Sequence, residues 1–264
     1  MQGPGGVSLR LGGRAPRATL PLMLALAVIV PNSAAVAEPS AGVSTAIRPS
    51  TPTPSKAVSA LTSRNSSTTG SIADTSSQLI TVRARGTWAT VIAWQKTPGG
   101  WRKIIVSRHG RVGSGGVVDG LVRRQFTGTT PTGMFRLTES FGVGSDPGTR
   151  MPYRHLNGCD WWVQDVRSSH YNNRVNVCRR GHDFSLTENG RYGSEHLIRR
   201  TKIYRWAVVI DFNRPDPIRG RGSGIFLHVN DTRATTGCVS VPRWAMLAII
   251  RWLDPRAHPV IRIS

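Results

Sequence analysis

From about Leu79 to its C-terminus, the chain consists mainly of short runs of β-branched and aromatic residues separated by Gly-rich breaks. The first three runs cover residues 78–85, 88–94 and 101–108, with breaks at 97–100, 109–111 and 113–116. Such runs with turn residues between them are typical of strands joined by tight turns. Later runs of the same kind cover 134–138, 204–212, 224–229 and 260–263. The sequence therefore predicts a mainly β domain.

One segment carries a clear helix pattern. Residues 242–253 read PRWAMLAIIRWL, with Pro at the favoured first turn, and Asp254-Pro255 then stops the helix. No internal repeat is visible. We expect a single domain over residues 79–264, mostly β with a few helices and long enough to bury a substantial core.

The N-terminal part has a different composition. Arg10, Arg14 and Arg17 precede an apolar run at 22–30 that is too short to span a bilayer, and Ala35-Val36-Ala37 follows. This order predicts a cleavable secretory signal at 1–37, with an uncleaved anchor as the alternative. Residues 38–78 are rich in Ser, Thr and Pro without aromatic residues, which predicts a disordered tether. The mature chain is then expected outside the membrane, secreted to a cell wall or periplasmic space and not membrane-integral.

The formal net charge of +21 favours contact with polyanions. The arginines are scattered through the domain, however, and only four of the 35 basic residues are lysines. This pattern does not indicate a specific nucleic-acid site and is more consistent with loose attraction to an anionic envelope. We expect a monomer.

The segment at 223–242 carries the strongest chemical signal. An apolar run ends at His228, and Thr235-Thr236-Gly237-Cys238 follows after a short polar loop. A thiol becomes an effective nucleophile when a nearby imidazole stabilises its thiolate, and ten residues allow a return that brings the two side chains together. The N–H groups of residues 236–238 can point at a developing oxyanion, and Gly237 permits close approach of a bound carbonyl. The alternative is a structural pair, with Cys238 and His228 simply buried.

This segment resembles the active-site signature of the L,D-transpeptidase (YkuD-type) catalytic domain. His228 takes the place of the first His, Thr235 that of the Ser or Thr, and Gly237 and Cys238 are identical to the signature. Ser240 stands at a small polar or Arg position. The chain departs from the family at Thr236, where a second His is common, and in its short loop, which marks a divergent member.

A second motif supports the resemblance. Residues 130–135, TPTGMF, resemble the T-P-x-G-x-F motif that precedes the active site in these domains. The resemblance covers roughly 101–264, with 140–200 poorly covered and therefore predicted as an insertion. It implies a β-sandwich or barrel of mixed sheets with a few short helices.

The resemblance also implies a reaction. Cys238 would attack the carbonyl of the third residue of a peptidoglycan stem tetrapeptide and expel D-Ala, and transfer to a neighbouring amine would give a 3→3 cross-link. His228 would shuttle the proton. No metal or organic cofactor is required, and acylation by carbapenem-type β-lactams is implied. The alternatives are an L,D-carboxypeptidase or other wall thiol peptidase, and an inactive wall-binding module.

The binding residues expected in such a site are Thr235, Ser240, Asn230 and one of two adjacent tryptophans, for which Trp162 is the candidate. Since neighbouring strand residues face opposite ways, the other tryptophan is expected in the core.

The remaining two cysteines lie within the predicted insertion. Cys159 and Cys178 in an exported chain predict a disulfide that closes a loop of about 20 residues. The alternative is a zinc site formed by both cysteines with His155 and His182.

Overall fold

The computed structural model describes residues 75–264. The predicted signal peptide and residues 38–74 of the predicted tether lie outside the described residues. The last residues assigned to the tether belong to the domain, since Ser76 and Gln78 are buried and the first strand begins at Gln78.

Thirteen strands and one α-helix form the described part of the chain, together with short 3-10 turns. The strands are β1 (Gln78–Arg85), β2 (Trp88–Thr97), β3 (Gly100–Arg111), β4 (Val117–Asp119), β5 (Thr130–Gly142), β6 (Tyr153–His155), β7 (Asp160–Trp162), β8 (Arg174–Asn176), β9 (Glu195–His196), β10 (Ala207–Ile210), β11 (Phe226–Val229), β12 (Val239–Val241) and β13 (Val260–Ile263); the helix is α1 (Arg243–Trp252). The predicted strand at 204–212 is shorter because Ile203–Arg205 forms a 3-10 turn.

The main sheet closes on itself as a barrel. Its strands run in the order β10, β11, β12, β3, β2, β1, β13 and β5, and β5 also pairs with β10. The pairs β1–β13 and β11–β12 are parallel and the other pairs around this ring are antiparallel, so the sheet is mixed. The predicted mainly β fold is confirmed.

The apolar face of α1 belongs to the main core. Ala245, Met246, Ile249 and Ile250 recur at helical spacing and are buried against alternate residues of the barrel strands. The helix begins after Pro242 and ends before Asp254-Pro255, where the sequence predicts its ends. No helix within residues 75–264 has the length and apolar character needed to span a lipid bilayer.

Strands β10 and β11 are buried on both faces. On one face, Val208 and Leu227 join the main core, and on the other, Val209 and Phe226 join a second apolar cluster. That second cluster is completed by the segment between β5 and β10, residues 143–206, which we call the inserted segment and which includes most of the predicted insertion. Two-sided burial explains why both strands read as continuous apolar runs.

The inserted segment has a small sheet of its own, in the order β8, β7, β9. Cys159 and Cys178 form a disulfide beside it, as predicted. The zinc alternative is therefore wrong, and no group of three or more His, Cys, Asp or Glu side chains in residues 75–264 is placed to hold a metal ion.

Candidate active site

The parallel pairing of β11 and β12 brings His228 and Cys238 to the same face of the sheet. His228 lies opposite Ser240 in the register, and Cys238 precedes Ser240 by two residues. Because side chains two residues apart on a strand share a face, Cys238 and His228 both point toward the inserted segment. Both line one cavity of about 600 Å³ there. The predicted return of the chain thus places the two residues in one site.

Cys238 is the free cysteine of the described chain, and its side chain is held by backbone groups. The residue is 6% exposed. Its Sγ lies 3.4 Å from the Phe226 N–H and 3.4 Å from the Gly224 carbonyl oxygen, so the sulfur can accept one hydrogen bond and donate one. Burial and, to a smaller extent, the Glu195 carboxylate raise the pKa of the Cys238 thiol to about 12, although the Phe226 N–H and Arg123 act in the opposite direction.

The His228 ring has a defined tautomer. Its Nδ1 lies 2.7 Å from the carbonyl oxygen of Val229, and since a carbonyl only accepts, Nδ1 carries the proton. In the neutral ring, Nε2 is then the free base. The residue is 4% exposed, and burial lowers the pKa of His228 to about 4. The edge of the ring packs against Tyr204, with ring centroids 5.5 Å apart.

These values correct one expectation. The sequence suggested a thiolate already stabilised by the imidazole, yet burial disfavours both charged forms, and no hydrogen bond joins Sγ to the His228 ring among the contacts of the described residues. Burial therefore favours a neutral thiol and a neutral imidazole near pH 7 in the free protein.

Hydroxyl groups fix the turn that carries Cys238. Thr235 Oγ1 donates to the Cys238 carbonyl oxygen at 2.6 Å and accepts from the Gly237 N–H at 3.1 Å. Thr130 Oγ1, from the 130–135 motif, lies 3.3 Å from the same carbonyl oxygen. The two sequence motifs therefore meet at the backbone of the cysteine. Gly237 has φ +140°, which an L side chain rarely adopts. Its N–H is engaged, so the free oxyanion donors expected here reduce to Thr236 and Cys238.

A second cavity reaches Cys238 from another direction. It has a volume of about 370 Å³ and is lined by Arg123, Gln125, Gln164 and Ser223, among others. We call it the arginine cavity and the one that contains His228 the histidine cavity. Four residues line both of them: Cys238, Thr236, Tyr204 and Glu195. Cys238 thus lies where the two cavities meet, which is the position a nucleophile between two bound groups requires.

The predicted binding residues have different outcomes. Thr235 and Ser240 line the histidine cavity, and Ser240 Oγ is buried without a hydrogen-bond partner. Asn230 lines neither cavity, because its side-chain amide donates to the His109 carbonyl oxygen at 2.9 Å and ties β11 to β3. A binding role for Asn230 is therefore not supported.

The prediction that Trp162 contacts substrate is wrong. Its side chain is 1% exposed and packs in the second apolar cluster against Phe226, with the indole N–H bonded to Asn172 at 3.1 Å. Trp161 is buried too, because the small sheet packs on both faces and its opposite side holds a third cluster with Phe184. The two tryptophan side chains do face opposite sides of the strand, as predicted, but the sequence did not predict that both sides of the small sheet are buried.

Three further residues that line the cavities next to Cys238 were not predicted from the sequence. Glu195 and Tyr204 reach the site from the inserted segment, where the Tyr204 hydroxyl donates to Glu195 at 2.9 Å and Arg200 lies 3.5 Å from the same carboxylate. Burial raises the pKa of both Glu195 and Tyr204. Arg123 comes from the connection between β4 and β5. None of the three belongs to a local motif, so only the fold brings them to Cys238.

A mixed barrel that places a free cysteine and a histidine in one cavity can support cysteine-dependent chemistry. The family model of the L,D-transpeptidase catalytic domain (YkuD) matches residues 80–261, more than half of the chain. The chain therefore belongs to the YkuD L,D-transpeptidase catalytic domain family. Comparison with curated proteins and with solved structures found no match.

Proposed function

We propose that this chain is a secreted cysteine L,D-transpeptidase that forms 3→3 cross-links between peptidoglycan stem peptides, with Cys238 as nucleophile and His228 as general base. The observation that carries the proposal is the position of Cys238, a free thiol at the meeting point of two cavities on the face it shares with His228. A transferase needs room for an acyl donor and for an acceptor at one nucleophile, and two cavities provide it.

The first half-reaction forms a thioester. As the sulfur bonds to the carbonyl carbon of the third stem residue, the thiol proton passes to Nε2 of His228, and the carbonyl oxygen becomes an oxyanion facing the N–H groups of Thr236 and Cys238. The carbon–nitrogen bond to D-Ala then breaks, and His228 returns its proton to the leaving amine. Because burial favours the neutral form of both groups, proton transfer accompanies the attack, and charge is confined to the oxyanion and the His228 imidazolium that the attack creates.

The second half-reaction reverses these steps with a new amine. The acceptor amine of a neighbouring stem attacks the thioester carbon, and His228 takes the proton that the amine loses. The carbon–sulfur bond breaks and the sulfur regains a proton from His228. Water in place of the amine would give an L,D-carboxypeptidase.

Export is part of the proposal. The signal-like pattern at 1–37 and the Cys159–Cys178 disulfide both support an oxidising compartment outside the membrane. The mature chain is expected to begin at Glu38, which N-terminal sequencing of the protein recovered from culture or envelope checks. A mature N-terminus at Met1 contradicts cleavage.

The test of the reaction is product analysis by mass spectrometry. Purified protein incubated with tetrapeptide muropeptides is expected to give cross-linked dimers that have lost one D-Ala per bond formed, and Cys238→Ala is expected to give none. Tripeptide and free D-Ala without dimers identify hydrolysis and contradict transfer. No change in the muropeptides contradicts both and indicates a wall-binding module.

A further inference from the structure

Arg123 is a buried cation without an acidic partner among the described residues. The residue is 5% exposed, its Nε donates to the Thr129 carbonyl oxygen at 2.7 Å, and Nη1 donates to the Arg221 carbonyl oxygen at 3.1 Å. All ten ion pairs within residues 75–264 involve other arginines. An unpaired buried charge costs free energy, so its retention in the fold calls for an anionic partner that arrives from outside.

The free side of this guanidinium lies beside the nucleophile. A Cβ placed on Gly237 would come within 2.8 Å of Nη2, so the guanidinium lies against the residue that precedes Cys238. Arg123 lines the arginine cavity, to which Cys238 also contributes. The guanidinium stabilises negative charge at this position, because Arg123 acts to lower the pKa of Cys238.

A second unpartnered polar group lies in the same cavity. Ser223 is buried and lines the cavity with Arg123, and its Oγ has no hydrogen-bond partner within the described part of the chain. Among residues 75–264, the only other charged side chain that lines this cavity is Glu195, whose carboxylate already accepts from Tyr204 and lies near Arg200. A cavity with an unpaired guanidinium and a free hydroxyl is suited to a carboxylate, which accepts charge-assisted hydrogen bonds from both.

We propose that Arg123, assisted by Ser223, binds the C-terminal carboxylate of the residue that leaves the acyl donor. The proposal rests on the proposed function and names the part of the donor that the arginine cavity selects. In a donor that ends one residue beyond the attacked carbonyl, the carboxylate carbon is three bonds from the reacting carbon, and neighbouring Cα atoms are about 3.8 Å apart. This separation between the attacked carbonyl and the terminal carboxylate fits the position of the Arg123 guanidinium, which lies against the residue next to Cys238. A donor extended by one residue puts its carboxylate farther away.

Two carboxylates of the donor share this chemistry. A tetrapeptide stem carries the terminal carboxylate of D-Ala, and its diamino acid can carry a second one on its side chain. We assign Arg123 to the D-Ala carboxylate, because D-Ala is the residue directly after the carbonyl that the Cys238 sulfur attacks. Donors amidated at one position or the other separate the two sources.

The experiment compares three tetrapeptide donors with the wild-type protein: the free acid, the C-terminal amide, and the acid amidated at the diamino-acid side chain. We expect kcat/KM to fall about 100-fold on the C-terminal amide, the size expected for loss of a bidentate charge-assisted pair, and to change less than about threefold on the side-chain amide. Equal kcat/KM on the free acid and on the C-terminal amide contradicts the role of Arg123 and leaves the proposed function intact. A fall in kcat/KM that is seen only with the side-chain amide has the same consequence. Absence of turnover with every donor contradicts the proposed function instead.

Variants test the residue itself. Arg123→Gln is expected to lose about 100-fold on the free acid and almost nothing on the C-terminal amide, so that the preference for the acid disappears. Arg124→Gln removes the same charge from the neighbouring exposed residue and is expected to keep the preference. Alkylation of Cys238 by neutral iodoacetamide and a thermal melt show whether Arg123→Gln is folded. If it is not, the comparison of donors with the wild-type protein still decides the proposal.

Discussion

The two parts of the molecule that build the active site are held together differently. The barrel strands β11 and β12 place His228 and Cys238 by a regular parallel ladder. The inserted segment surrounds them with Tyr204 and Glu195, and its own structure depends on a disulfide, on side-chain hydrogen bonds such as those of Asn172 to the 212–213 backbone, and on very short strands. The barrel therefore supplies the proposed reacting groups, and the inserted segment supplies part of the walls that keep them away from water, with Arg123 added from the connection between β4 and β5.

This division of roles predicts the largest effect for the base on the barrel. His228→Gln is expected to slow acylation of Cys238 by about 10²- to 10⁴-fold, because glutamine can still donate to the Val229 carbonyl oxygen but cannot accept the thiol proton. The measurement is single-turnover release of D-Ala from a tetrapeptide. His109→Gln, at an exposed position of β3, is the matched control and should retain its rate. A smaller loss from His228→Gln than from Tyr204→Phe would reverse the roles assigned to the two regions.

The same contrast explains what the sequence could predict. Most barrel strands and α1 have local signals, since runs of β-branched and aromatic residues between Gly-rich breaks, and an apolar helix after Pro242, mark them. The predicted bounds were less accurate: β5 extends well beyond the predicted 134–138, and β12 was not predicted. The reacting pair also has a local signal, because His228 and Cys238 lie on adjacent strands within one short stretch of chain. The Cys159–Cys178 disulfide followed from counting the cysteines of an exported chain.

The walls of the site have no such signal. Glu195 and Tyr204 lie upstream of the motif in the inserted segment, and Arg123 lies about 70 residues before them, so only the fold brings all three to the cysteine. Trp162 was misassigned because the sequence does not show that a small sheet is covered on both sides. The raised pKa of Cys238 was not predicted because desolvation depends on this covering and not on the identity of the neighbouring residue.

Removing the disulfide tests whether the inserted segment depends on it. The double variant Cys159→Ser/Cys178→Ser is expected to lower the free energy of unfolding by about 3 kcal/mol, the loop-entropy value for a closed loop of this size. Urea denaturation measures the loss. Hydrogen exchange should accelerate at β7 (Asp160–Trp162) more than at β11 (Phe226–Val229), and equal acceleration in both would show that the two regions unfold as one unit.

The buried His228 also makes stability depend on pH. Its folded pKa of about 4 lies below its usual value of about 6.5, so the unfolded chain binds the proton first as the pH falls. The neutral, buried imidazole contributes to the free energy of unfolding in full above about pH 6.5, and this contribution is lost as the pH falls from 6.5 to 4. Between pH 7 and pH 5 the loss amounts to roughly 2 kcal/mol. Urea denaturation at pH 7 and pH 5 should show that the free energy of unfolding changes less between the two pH values in His228→Gln than in the wild-type protein. An unchanged difference contradicts a buried neutral imidazole.

The smallest expected effect is that of a wall residue on the nucleophile. Glu195→Gln removes a negative charge that raises the pKa of Cys238, so the thiolate should form more readily. We expect the rate of alkylation by iodoacetamide at pH 8 to rise about threefold, corresponding to a weak electrostatic interaction. Glu188→Gln removes the other carboxylate that Arg200 binds and serves as the control. A slower reaction of Glu195→Gln would contradict this electrostatic role.

The nucleophilic role of Cys238 is tested most directly by the intact mass of the protein after incubation with a carbapenem. The wild-type protein is expected to gain the mass of one carbapenem, located by peptide mapping on the peptide that contains Cys238, and Cys238→Ala is expected to gain nothing. An unmodified wild-type protein, or an adduct that persists in Cys238→Ala, would contradict the assignment of this sulfur as the nucleophile.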